Sequence, residues 1–295
     1  MKNNLHKTSR LVHFLFIIAC FACILPFILL FMSSVTDEAS LLEEGYKFIP
    51  HKFSGEAYSY LLSHFNSIGR AYGVTALVTV IGTTLGLTIT SLLAYPLSRK
   101  DLPFRNLLGF FVFFTMLFNG GLVPTYLVYT KLIDIKDTIW ALIIPNLLMN
   151  AFYVFLVRTF FETTIPFSLV ESAYMDGASE FKIFRKIILP LSTPVLATVG
   201  LFQSLHYWND WFNSLIYINN QDLYNIQFLL NKILLDIQFI SSNNLGSSAA
   251  SSATSNIPLE TVQMAMAFVG VLPIMIAYPF FQKYFVKGLT IGAVK

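Results

Sequence analysis

Charge is scarce in this chain. Of its 295 residues only 12% are Asp, Glu, Lys or Arg, against 55% hydrophobic and 16% aromatic. A soluble domain carries about 25% charged residues, so a water-covered fold is excluded and lipid is the natural solvent. The net charge of +3 is too small to mark a nucleic-acid partner, and none is expected. Cysteine is scarcer still. Cys20 and Cys23 are the only two, and one CxxC pair among Phe, Ile and Ala lacks the further ligands of a zinc site. They read as small apolar residues packed in a membrane helix. The sequence has no GxxxxGK[ST] phosphate loop, no His/Cys/Asp cluster at metal spacing, and no nucleophile–base pair on a recognisable turn. ATP binding, metal sites and covalent catalysis are therefore not expected here, and the chain does not read as an enzyme.

Long apolar runs are abundant instead. A spanning helix needs about 20 mostly apolar residues, and six stretches supply them: Leu11–Met32, Ala71–Leu97, Leu107–Thr130, Thr138–Phe160, Leu191–Ile218 and Val262–Phe285. The first is too long for a signal-peptide core and no small-x-small cleavage site follows it, so it reads as a helix. The expected fold is all-α, with six transmembrane helices. With the N-terminus placed in the cytoplasm, thirteen Lys and Arg fall in inner segments and six (Lys47, Lys52, Arg70, Lys131, Lys136, Lys232) in outer ones. That asymmetry, with an even number of spans, predicts both termini in the cytoplasm of a multi-pass cell-membrane protein.

The outer segments differ in kind. Ser33–Gly69 is an acid-rich loop, and Asn219–Thr261 is a second loop whose Ser241–Asn256 stretch is mostly Ser, Asn, Ala and Gly. Such a composition buries too little to offset its ordering entropy, which predicts mobility unless an external partner orders it. Gly82 and Gly86 form a small-xxx-small pair, a common helix-packing device of low specificity. The organisation expected is an N-terminal helix with an external loop over 1–69, a core over 70–286 containing a loop at 161–190, and a cytoplasmic tail over 287–295.

The loop at 161–190 is unlike the others. It reads IPFSLVESAYMDGASEFKIFRKIILPLSTP from Ile165. Pro166 punctuates, and Ser168 with Glu171 forms an S-x-x-E capping box that predicts a helix start. Val170, Tyr174, Ala178, Phe181 and Phe184 recur at helical steps as one apolar stripe. Gly177 falls in its middle, permitting a bend or a close backbone approach. Such a helix fits the membrane surface and a groove on a partner protein equally well.

This loop resembles the signature of ATP-binding-cassette (ABC) importer permeases, Glu-Ala-Ala-x3-Gly-x9-Ile-x-Leu-Pro. Glu171, Ala173, Gly177, Ile187, Leu189 and Pro190 stand at the matching spacings, with Ser172 replacing the first Ala. The stretches Asn119–Tyr126, Trp208–Phe212 and Tyr278–Lys295 are similar to carbohydrate-uptake permeases of the MalG type, most of all its LplC-like branch. The resemblance implies a type I importer permease fold, with half of the path for a sugar or oligosaccharide in this chain. It implies as partners a second homologous permease, ATP-binding ATPase subunits, an extracellular solute-binding protein and membrane lipid. ATP and Mg would reside on the ATPase, leaving no cofactor here. The loop then becomes a coupling helix in an ATPase cleft. Phe181 and Phe184 would be its apolar anchors, Glu171 and Arg185 its rim charges, Gly177 its close-approach point, and Ser172, Ala173 and Ala178 its small neighbours.

Polar residues inside apolar spans are candidates for the solute path. They are Asn119, Asn146, Asn150, Gln203, Asn209 and Asp210, with His206 nearby and Tyr207 or Trp208 able to stack on sugar rings. A continuous fifth helix would carry Asp210 about 26 Å from Thr193, near the outer face, where Trp208 and Trp211 also suit an interfacial belt. The same machine with a non-sugar cargo, and an ATP-independent carrier, are the alternatives to weigh.

Overall fold

The computed structural model describes residues 2–293 apart from 146 and 244–257. The described residues are helical, with one isolated antiparallel bridge between Thr36 and Phe53. They form two compact units, 1–68 with 230–273 and 69–229 with 274–295.

In the first unit, α1 (Lys2–Ser34) runs unbroken through Pro26. Its apolar side chains from Val12 to Leu25 are exposed, as suits a helix facing lipid, and burial begins only at its last turn with Ser33 and Ser34. Cys20 and Cys23 are free and exposed along it, facing outward and not packed inside as the sequence suggested. The acid-rich segment that follows is not a plain loop. It contains α2 (Glu38–Glu44), capped by the Asp37 carboxylate and ended at Gly45 with φ +73°, and α3 (Glu56–Ser63). Glu38 and Glu56 sit in the first turns of these helices, where the helix dipole favours them. Glu38 also reaches a helix far ahead in sequence, Leu259–Ala293. Its carboxylate accepts the backbone N–H groups of Glu260 at 2.8 Å and Thr261 at 2.9 Å, and the Thr261 hydroxyl at 2.7 Å. Those are orphan donors of that helix's first turn.

The second unit is built on α4 (Phe65–Ser98), the second long span. The third expected span is broken. α5 (Arg105–Leu117) and α6 (Leu122–Leu127), which continues as a π turn to Leu132, meet at 111°. The break sits at Gly121, whose φ of +84° suits glycine and whose N–H is held by the Asn119 side chain at 2.8 Å. The fourth is broken too, into α7 (Trp140–Ile143) and α8 (Ala151–Thr164), with Pro145 between them.

The motif loop forms α9 (Phe167–Met175) and α10 (Glu180–Ile183), the latter running through a π turn at Phe184–Ile188 into α11 (Leu189–Leu191). Pro190 explains the π turn, since its missing N–H cannot close the regular ladder. The expected capping box does not form. Pro166 is the cap, Ser168 lies inside the first turn, and its carbonyl accepts the Ser172 hydroxyl at 2.9 Å. α12 (Thr193–Trp208) and α13 (Phe212–Tyr217) make the fifth span in two pieces. The long outer segment carries α14 (Ile226–Asn243), a helix read from sequence as loop. Of the Ser-rich stretch, Ser241–Asn243 ends α14 and the remainder lies outside the described residues. α15 (Leu259–Ala293) closes the chain, crossing the expected boundary between core and tail as one helix. Among the described residues three helices are long and apolar enough to span alone, and up to six spans result if each of three bent pairs counts once: α5 with α6 and its π turn, α8 with α9 at 77°, and the α10–α11 stretch with α12 at 78°.

One apolar core of the second unit joins Ala94 and Leu97 of α4, Val154 and Val157 of α8, Val170 of α9, Ile183, Phe184 and Ile188 of the motif loop, and Val199 of α12. The motif loop is thus half embedded in the core of this unit.

Candidate functional site

The stripe expected to form one helix is instead two short helices around a sharp turn. α9 ends at Asp176, and Gly177 takes φ +73°. Its N–H bonds the Tyr174 carbonyl at 2.9 Å, and the Ala178 N–H bonds the Ala173 carbonyl at 3.0 Å. This is a complete Schellman motif with glycine at the left-handed position. A Cβ on Gly177 would meet nothing within 4 Å in this chain. Backbone conformation, not internal crowding, requires glycine here.

That turn sorts the candidate coupling residues. Glu171, Ser172, Phe181 and Arg185 stay exposed, Phe181 by 65% of its surface. Phe184 does not. It is 6% exposed and its ring lies 5.2 Å from that of Tyr95 on α4. Its assignment as an anchor for a partner is corrected: on the helical stretch that follows the turn it faces the chain's own core. Ala173 is likewise buried and Ala178 partly so, so their small size serves internal packing. Met175, 88% exposed beside the turn, was missed by sequence reasoning because it lies off the apolar stripe. Among apolar side chains it and Phe181 are the ones that the loop most exposes.

The polar residues expected to line a path are mostly bound to backbone. Breaking the fourth span frees carbonyls that lipid cannot satisfy. Tyr207 donates to the Ile143 carbonyl at 3.0 Å, Asn213 to that of Pro145 at 3.2 Å, and Gln203 approaches those of Leu147 and Leu148 at 3.3 and 3.4 Å. Gln203 and Tyr207 are each 1% exposed. Their reading as solute contacts is corrected to one of bracing the broken helix. Gly82 and Gly86 make room for this brace. A Cβ on Gly82 would clash with the Tyr207 ring, and one on Gly86 would strike the Gln203 amide. Asn213, a polar residue of the same fifth apolar run, was not singled out from sequence, and its role shows only once the break that it bridges is known.

The remaining candidates are distributed. Asn150 caps α8 through the Phe152 N–H at 2.9 Å. The helix ends at Trp208, so Asp210 is not on a continuous fifth span. Its carboxylate caps the start of α13, accepting from Phe212 and Asn213 N–H groups at 3.1 and 3.2 Å. Trp208 lies beside Tyr72, ring centroids 6.2 Å apart. Asn119 and Asn209 are exposed, the latter's amide bonded to the Leu205 carbonyl at 2.9 Å. Asn146 lies outside the described residues. Beyond the spans, burial raises the Asp137 pKa, but hydrogen bonds from the Asn219 and Asn220 N–H groups and the Asn219 amide outweigh it and hold the carboxyl below its ordinary value. No group of three or more His, Cys, Asp or Glu stands close enough to hold a metal among the described residues.

A broken-helix membrane unit carrying a two-helix turn with this motif can be compared with known proteins. Residues 82–291 match the family described as "Binding-protein-dependent transport system inner membrane component". The chain belongs to this family. Members are membrane permeases, and this chain is a permease of the ABC importer kind with a type I fold. It is 39% identical, over the full length of both chains, to the polygalacturonan/rhamnogalacturonan transport system permease protein YtcP of Bacillus subtilis (strain 168). It is also 39% identical over 272 residues, 92% of this chain and 89% of the relative, to Protein LplC of the same organism. Among solved structures it is similar to a chain of a bacterial ABC transporter involved in the import of the acidic polysaccharide alginate. There the TM-score is 0.79 at 28% identity, covering 94% of this chain and 96% of that one.

Proposed function

We propose that this permease forms one half of a translocation path for an oligosaccharide, with acidic uronate oligomers the first cargo to test. It pairs with a second permease, receives its cargo from an extracellular solute-binding protein, and leaves ATP and Mg to a separate ATPase. Full-length similarity at 39% identity to a polygalacturonan/rhamnogalacturonan permease supports the cargo class, as does the likeness to the alginate importer.

The observation that carries the coupling role is the Gly177 turn. It holds Met175 and Phe181 out of the core while Val170, Ala173 and Phe184 anchor the same loop inside. Exposed apolar knobs on a rigid, well-anchored turn are what a cleft on a moving partner can grip. Glu171 and Arg185 flank them as rim charges, with Ser172 beside them. ATPase closure would then rock the attached helices and alternate access to the path. The loop lies on the cytoplasmic side, as do both termini, in keeping with the Lys and Arg asymmetry. Within this scheme, 1–69 is an N-terminal helix and outer segment, 70–286 the permease core and 287–295 the tail. Asn119 and Asn209, exposed beside the broken spans, are the path residues still to test.

Purification of the tagged chain in mild detergent, followed by mass spectrometry, tests this reading. It should recover a second six-span permease, an ATPase and a solute-binding protein, and the last should bind oligogalacturonate or alginate oligomers. Recovery of the chain alone, stable and without an ATPase, would contradict it.

A further inference from the structure

Two residues about one turn apart at the end of α4 hold both limbs of the motif loop. The Tyr95 hydroxyl donates to the Glu180 carboxylate at 2.5 Å, and its ring packs on Phe184. The Arg99 guanidinium lies over the rings of Phe167 at 5.5 Å and Tyr174 at 5.3 Å, both on α9. It also donates to the Tyr174 hydroxyl at 3.2 Å, pairs with Asp101 at 3.2 Å, and stands 4.0 Å from Glu180. Tyr174 in turn donates to Glu180, tying α9 to α10 across the Gly177 turn. Arg99 is only 12% exposed in its side chain. A planar cation between two rings, bonded at its rim, is fixed in orientation in a way a flexible ammonium is not.

We infer that Tyr95, Arg99 and Glu180 form a latch through which the motif loop moves with α4 as one body. None of the three is among the residues assigned above to the partner cleft; they position that surface from behind. A displacement of α9 and α10 is passed through the latch to α4. Gly82 and Gly86 of α4 pack on Tyr207 and Gln203 of α12, and those two side chains brace the broken fourth span. The latch is therefore the first link of a contiguous chain from the loop to the interior of the core. Packed and hydrogen-bonded links of this kind are what can carry coupling.

The inference rests on the proposal that the loop faces an ATPase. It is tested by purifying the tagged chain with its associated subunits and reconstituting it in proteoliposomes. ATP hydrolysis is then measured beside uptake of a radiolabelled oligogalacturonate supplied with the binding protein. For Arg99→Ala combined with Tyr95→Phe, the ATPase should still co-purify and hydrolysis should stay within about twofold, while solute moved per ATP falls by about tenfold. Glu180→Gln, which keeps one acceptor oxygen for the tyrosine hydroxyls, should fall less. Should the double variant fail to insert, Tyr95→Phe alone carries the test, since it removes one hydroxyl and leaves the ring on Phe184. Unchanged solute per ATP overturns the latch. So does loss of the ATPase in step with uptake, which would place these residues in docking. If the unmodified chain brings down no ATPase at all, the coupling proposal fails first and the latch falls with it.

Discussion

Glycine at position 177 is needed for its backbone, and a substitution series separates that need from any need for space. The left-handed conformation at φ +73° costs an L-residue about 1–2 kcal/mol. Nothing in the chain lies within 4 Å of an added Cβ, so in the isolated permease Ala, Leu and Arg should cost about the same. Asn, which tolerates this conformation best after Gly, should cost less. A cost of that size shifts the population of the closed turn by about 5–30-fold. The readout is local, because the two amides closing the turn are those of Gly177 and Ala178. Hydrogen exchange of a peptide spanning these amides should quicken by that factor for Ala and by less for Asn, with little change elsewhere. Uptake adds the second axis. Gly177→Arg should insert normally and abolish transport, because a long side chain there meets the partner and not this chain. An Asn variant exchanging as fast as Ala would refute the conformational reading, and normal uptake by a well-expressed Arg variant would refute the coupling role.

Other outcomes follow from the same geometry. Tyr207→Phe leaves the Ile143 carbonyl without its donor and should lower stability by about 1–3 kcal/mol, read as a lower unfolding temperature in detergent. Gly82→Ala drives a methyl into the Tyr207 ring and should cost about 1–3 kcal/mol by overpacking; combination with Tyr207→Leu should recover part of that loss. Glu38→Ala removes an acceptor for two N–H groups at the start of α15 and should cost about 1–2 kcal/mol, seen as faster proteolysis of the first unit.

Much of this fold was legible because lipid imposes a simple rule. Twenty apolar residues in a row announce a span, and α1, α4 and α15 lie where that rule put them. The breaks were harder. Each apolar run read as one span, and only the structure shows the breaks, with Tyr207, Asn213 and Gln203 donating to the freed carbonyls. Polar residues in a span therefore looked like a solute path when several were braces. α14 escaped because Lys232 and Asp236 interrupt its hydropathy, which hides an amphipathic helix from a search for spans. In the motif loop the spacing was visible and its physical meaning was not. Gly177 closes a Schellman turn and Pro190 follows a π turn, while Ala173 is small because it is buried. Equal periodicity gave Phe181 and Phe184 equal standing, yet on the helical stretch after the turn one faces outward and the other lies in the core.

The central claim is that the Gly177 turn is gripped by an ATP-hydrolysing partner, and site-specific photocrosslinking tests it most directly. A photoreactive residue replaces Met175, 88% exposed at the turn, and in a control replaces Met116, 57% exposed on α5. Irradiation of native membranes should join the ATPase to the chain from position 175 and not from 116. An ATPase captured from neither position, or equally from both, would contradict the account.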